Sequence, residues 1–111
     1  AMRDFFHDLA AAFLAGLALA LCAVDLCGRP FFDFDCTFTA QRVGALDTEL
    51  VREFFYAVSY SAGMNLHIKM LSGVNSHHMI EAVFKAFARA LDQAVRKDAR
   101  ITDVLSTKGS L

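Results

Sequence analysis

Tryptophan is absent from this 111-residue sequence, proline occurs once and glycine six times. With Pro30 as the lone proline and no Gly/Ser-rich run, nothing marks an internal linker, and a chain of this length makes one small domain. Charge of one sign is also missing. Eleven Lys and Arg stand against twelve Asp and Glu, a formal net charge of −1. No long-range field therefore draws in nucleic acid or an anionic membrane, and both partner classes are set aside. The three cysteines, Cys22, Cys27 and Cys36, form no CxxC pair and cannot all be bridged to one another. Lying in apolar, strand-like stretches, they read as reduced, buried thiols of a cytoplasmic protein.

The longest charge-free run covers residues 9–24, LAAAFLAGLALALCAV. It falls short of the roughly 20 apolar residues a membrane span needs. The preceding MRDFFHD carries two acids against one Arg, a poor flank for a secretory signal. A buried helix or a pair of strands is the expected reading. The hydrophobic share is 56%, high for a soluble monomer, and with so small a core it predicts a homo-oligomer.

Periodicity divides the chain. Residues 3–15, rich in Ala, Leu and Phe, predict an N-terminal helix broken at Gly16. Residues 17–27 predict a strand, turned by Gly28-Arg29-Pro30. In FFDFDCTFT, Phe32, Phe34, Cys36 and Phe38 alternate with Asp33, Asp35 and Thr37, as a half-buried strand does. Gly44 and Asp47 punctuate the start of a helix, with Asp47 as N-cap; Leu50, Val51, Phe54, Phe55 and Val58 form its apolar stripe and Gly63 its end. NLHIKML is a third strand with Leu66, Ile68 and Met70 inward and His67 and Lys69 outward. A last helix, capped by Asn75 or Ser76, runs to about Val95 with Ile80, Val83, Phe84, Phe87 and Leu91 buried. The order helix–β–β–α–β–α predicts an α+β fold, a small sheet with helices packed on one face and an N-terminal helix added.

Metal-capable side chains are densest in NSHHMIE. On a helix, His77 and Glu81 are four apart and His78 and Glu81 three apart, so all reach a shared region. Two imidazoles with a carboxylate suit Mn, Fe, Co or Zn. Adjacent histidines diverge on a helix, which suits two neighbouring metals better than one. The plain alternative is that one His caps the helix and the other lies on the surface. Lys85, one turn beyond Glu81, suits an anionic substrate group or, equally, a surface ion pair with Glu81.

The run GMNLHIKMLSGVNSHHMIEAVFKAFARALDQAV, the terminal LSTKGSL, and upstream AVDLCGRPFFDFD and FTAQRVGALDTELVREFFYA resemble the closing half of imidazoleglycerol-phosphate dehydratases, in the same order. The resemblance covers most of the chain from about Ala20. It implies dehydration of a small phosphorylated imidazole, imidazole glycerol phosphate, to imidazole acetol phosphate in histidine biosynthesis, with two Mn ions per complete site. It also implies one half of a duplicated fold that assembles into symmetric oligomers with sites at subunit interfaces. By this resemblance His77, His78, Glu81 and Glu53 hold metal, Glu81 also being catalytic. Arg29, Lys85, Ser106 and Lys108 grip the phosphate. At the place of Glu53 many members carry His.

The chain then divides into an atypical N-terminal helix (1–16), a dehydratase half-domain (17–98) and a phosphate-binding tail (99–111). Only one HHxxE is present, where a full member has two. An acidic MDEA-type motif is replaced by FLAGLALAL, and AMRDFFHDLAAAF does not match, leaving His7 as a possible stray ligand. Two expectations follow: a dehydratase module completed by a second copy of itself, or a catalytically silent half that keeps the fold.

Overall fold

A computed structural model describes residues 10–15 and 17–108, with side chains described over 17–96. Its elements are β1 (Ala10–Ala15), β2 (Ala18–Asp25), β3 (Phe31–Asp35), the short β4 (Arg42–Val43) and β5 (Leu46–Asp47), α1 (Glu49–Ala62), β6 (Asn65–Ser72) and α2 (Ser76–Lys108). Four strands form one sheet in the order β1-β2-β6-β3. The β1–β2 and β2–β6 pairs are antiparallel and β3–β6 is parallel. The predicted α+β architecture is present, with both long helices over one face.

Alternation explains which face. Ala18, Ala20, Cys22 and Val24 of β2 and Leu66 and Ile68 of β6 are buried beneath the helices. Phe32 and Phe34 continue that layer in β3, half-buried as the alternation of FFDFD predicts. Their neighbours Asp33, Asp35, His67 and Lys69 lie on the open face. α2 packs over β1 and β2, α1 over β3. The two helices meet through Phe55, whose ring lies 4.8 Å from Phe84 and 5.1 Å from Phe87.

Three sequence expectations change. Residues 10–15 are strand β1, not the end of a helix. Alanine-rich segments favour helices in isolation, but here pairing with β2 from Ala10↔Ala23 to Ala15↔Ala18 decides the conformation. The rest of the expected N-terminal helix, with His7, lies outside the described residues.

The inner face of α2 is also rotated from the expected one. Val83 is buried and Ile80, Phe87 and Leu91 pack half-buried against the core as expected, but the centre of the face is Met79, Ala82, Ala86, Ala90 and Ala94, and Phe84 is 38% exposed. Alanines let the helix axis approach the small side chains of β2 closely, and large aromatics at those positions would hold it off. Similarly, α1 buries Val51, Phe55 and Ser59, leaving Leu50 and Phe54 about half exposed. Finally, α2 does not stop near Val95 but continues to Lys108. From 76 to 108 there is neither Gly nor Pro, so no residue forces an end.

Among the described residues no helix is long and apolar enough to cross a membrane. The charge-free run at 9–24 is, from Ala10, the β1–β2 pair.

Candidate functional site

The start of α2 is held by its surroundings. Asn75 caps it, its Oδ1 accepting the His78 N–H at 3.0 Å. Ser76 serves the neighbouring loop instead: its Oγ accepts the Ala40 N–H at 2.9 Å and lies 3.0 Å from Thr39 Oγ1. Gly73 lets the incoming strand pass close, because a Cβ there would stand 2.8 Å from Met79 Cγ and 3.1 Å from Ala18 Cβ. The side chains of His77, His78 and Glu81 thus project from an anchored helix turn, neither histidine being spent on capping.

His77 is exposed and His78 and Glu81 are half-buried. The two imidazole rings are 6.0 Å apart and inclined at 42°, diverging as adjacent helical positions must. Lys85 Nζ donates to Glu81 Oε1 at 2.7 Å. That bond, with the ammonium charge, holds the Glu81 carboxyl below the usual carboxylate range, and the two histidines add a smaller pull in the same direction. The ion-pair alternative for Lys85 is therefore what a single copy contains. Among the described residues no three His, Cys, Asp or Glu side chains converge to hold a metal ion.

The other expected site residues are spread across the molecule. Glu53 is exposed on α1, beside Phe54, whose ring lies 5.5 Å from Phe84. Arg29 is exposed in the β2–β3 turn. Because β3 runs parallel to β6, that turn lies at the start of β6, while His77 follows its end. The eight residues of β6 separate the two ends by roughly 25 Å, so one chain does not bring Arg29 to the histidines. The turn itself is rigidly built. Gly28 and Gly63 have φ of 79° and 63°, and a Cβ on Gly63 would stand 3.2 Å from the Gly28 backbone. Beside it the buried Ser59 hydroxyl lies 2.8 Å from the Met64 and 3.0 Å from the Phe31 carbonyl oxygens. Ser106 and Lys108 fall in the last turns of α2, where only the backbone is described.

One feature escaped the sequence reading. A cleft of about 550 Å³, lined by Phe34, Cys36, Phe38, Arg42, Glu49 and Arg52 among others, opens between the end of β3, the β4–β5 hairpin and the start of α1. None of the expected site residues lines it. The metal-capable chemistry, not this cleft, marks the candidate site, because the cleft gathers no convergent donor set. The hairpin that walls it turns at Gly44, φ 62°. Thr48, not Asp47, occupies the N-cap position of α1, although Asp47 Oδ1 still accepts the Glu49 N–H at 3.0 Å.

Comparison with known proteins gives this geometry a context. The family model for imidazoleglycerol-phosphate dehydratase matches residues 9–91. Imidazoleglycerol-phosphate dehydratase of Lachnoclostridium phytofermentans is 60% identical over 93 residues, covering 84% of this chain and 47% of that protein. The Acetivibrio thermocellus protein of the same name is 57% identical over 94 residues, 85% of this chain and 48% of its own length. The crystal structure of the Staphylococcus aureus dehydratase superposes with a TM-score of 0.71 at 43% identity, covering 78% of this chain and 52% of that one. The chain spans about half the length of the curated relatives it matches. With three quarters of its residues inside the family model, the chain belongs to the imidazoleglycerol-phosphate dehydratase family.

Proposed function

We propose that the chain is a half-length dehydratase module of histidine biosynthesis whose site is completed when copies associate, and that it converts imidazole glycerol phosphate to imidazole acetol phosphate. The observation that carries this reading is the intact His77-His78-Glu81 set. It is anchored at the start of α2, open to the outside, and insufficient by itself to enclose a cation. Two divergent imidazoles and a carboxylate have the N/O chemistry of a borderline divalent ion such as Mn. They fit it as a partial set that needs donors from elsewhere. Glu53 is the further ligand expected from the resemblance.

When bound, Mn supplies Lewis acidity to the substrate's imidazole, making the loss of a weakly acidic side-chain proton and of hydroxide feasible without a strong base. This chain's own groups do the rest. Glu81, kept ionised by Lys85, is a weak carboxylate base whose oxygens are also donors for the cation, Oε1 accepting from Lys85 and Oε2 not engaged by it. The Lys85 ammonium, with Arg29, Ser106 and Lys108, carries the charge and donors to neutralise and orient a phosphate. The separation of Arg29 from the histidines within one chain supports drawing these two sets from different copies.

A second reading has its own support: a catalytically silent half that oligomerises and binds metal, consistent with the unconverged donors among the described residues. Metal analysis of the purified chain, with an assay for imidazole acetol phosphate, separates the two. Mn loading with product formation supports the module; loading without product at saturating substrate leaves the silent half. His78→Ala should abolish Mn loading, and an unchanged Mn content in that variant would refute the ligand assignment.

A further inference from the structure

A serine at a helix start ordinarily turns its hydroxyl onto the first N–H groups of its own helix. Ser76 does not. It is 5% exposed, and its Oγ faces the loop of residues 39–41, accepting the Ala40 N–H at 2.9 Å. Thr39 Oγ1 lies 3.0 Å from the same oxygen and donates to the Val74 carbonyl at 2.6 Å. A hydroxyl has one proton to give, so Thr39 accepts in the 3.0 Å contact and Ser76 is the donor. Thr39 thereby holds the chain on both sides of Asn75, whose side-chain and backbone carbonyl oxygens accept the His78 and Met79 N–H groups at 3.0 and 2.9 Å. The loop is anchored in turn at the start of α1. Thr48, 6% exposed, donates from Oγ1 to the Ala40 carbonyl and from its N–H to the Gln41 carbonyl, each at 2.9 Å.

We propose that Ser76 and Thr39 are positioning residues for the metal-capable turn. Tied to α1 through Thr48, they fix where His77, His78 and Glu81 present their donors, and so set the affinity for a divalent cation that they do not touch. The inference rests on the reading of those three residues as ligands. Distances from a metal to its donors tolerate only a few tenths of an ångström. The His77 and His78 rings diverge, 6.0 Å apart, so a turn that shifted would carry one imidazole away from a cation near the other. With the turn held by the loop, its ordering belongs to folding and not to metal binding. The bonds run in series, from Ala40 N–H to Ser76, from Ser76 to Thr39 and from Thr39 to Val74. Each polarises the next, and removing either hydroxyl breaks the tie as a whole.

Titration of the metal-free full chain with Mn, read by the EPR signal of the free ion and set beside thermal unfolding, is the test. Ser76→Ala and Thr39→Val should each weaken Mn binding about tenfold, the lower end of what loss of a supporting group does to a metal site. The double variant should bind no more weakly than either single one. Thr39→Ser, which keeps the hydroxyl, should restore parental affinity. Val24 is buried and pairs with Leu66 at the start of β6, the end away from His77. Val24→Ala should therefore lower Tm by opening a cavity and leave Mn affinity unchanged. A metal-free measurement lets the inference fail alone. Amide exchange at His78 and Met79 should be faster in Thr39→Val than in the parent or Val24→Ala, although Thr39 bonds neither group. Parental exchange at both amides in Thr39→Val, parental Mn affinity in folded Ser76→Ala, or an equal loss of affinity in Val24→Ala overturns the proposal. The ligand reading fails separately, and this inference with it, if the parent loads no Mn or His78→Ala binds it as tightly.

Discussion

The two sides of α2 use apolar residues in opposite ways. Toward the sheet the helix presents Ala82, Ala86, Ala90 and Ala94, all at most 1% exposed, beside Met79 and Val83; away from it stand Phe84 and Val95. Large side chains would be the stronger source of hydrophobic stabilisation if buried, yet four of the six buried apolar positions are alanine. Close approach to Ala18, Ala20 and Cys22 leaves no room for more. The comparison teaches that the α2 positions nearest β2 are selected by shape, and that bulk is placed where the helix leaves the sheet, as Phe84 is against Phe54 and Phe55.

A matched pair of substitutions is the sharpest way to break that comparison. Ala86→Leu should cost about 1–3 kcal/mol by overpacking the helix–sheet contact, whereas Ala88→Leu on the outward side should stay within about 0.5 kcal/mol. Denaturant unfolding of both, with equal losses, would remove the distinction. Next in size is the turn that carries Arg29. Gly63→Ala forces a side chain into left-handed backbone and against Gly28, and should lower stability by about 1–2 kcal/mol, read as a fall in Tm.

The inner and outer sides also differ in how they answer pH. Cys22 is buried under α2, and burial pushes its thiol up to about 12 from an ordinary value of 9.0. The folded state therefore holds this proton more tightly. Its contribution is complete below pH 9 and is lost as pH rises toward about 12. Cys22→Ala should flatten the alkaline end of the stability profile, and an unchanged profile would contradict the assignment. Cys36, pushed to about 11 by burial and by Asp35, should alkylate more slowly than the exposed Cys27. The smallest effect belongs to the outer side. Lys85→Gln should leave Tm nearly unchanged, as expected for an exposed pair, but raise the Glu81 carboxyl toward its ordinary value. The native pair's contribution is present above the carboxylate range and fades as pH falls through the lowered value. NMR titration of the Glu81 carboxyl checks this.

Much of this molecule was legible in its sequence. Alternation placed Phe32 and Phe34 against Asp33 and Asp35, and Leu66 and Ile68 against His67 and Lys69, because a strand's period of two is local geometry. Gly63 ended α1 as expected, since only glycine takes the left-handed C-cap at no steric cost. HHxxE could be read as one helical turn of donors for the same reason. The strand identity of Ala10–Ala15 could not, because alanine's intrinsic preference opposes it and only the partner strand reverses that preference. The full length of α2 was available in principle, in the absence of any Gly or Pro before Gly109.

The sequence by itself determined the family, the alternation of the strands and the types of donor atom, all of which depend on residue identity and short-range spacing. Tertiary structure alone decided the rest. Which stripe of α2 faces the sheet is a matter of how near two surfaces can come. Lys85's partner in the single copy is settled by two side chains meeting in space. That Arg29 and the histidines lie at opposite ends of β6 follows from the parallel β3–β6 pairing, a long-range contact that no local pattern encodes.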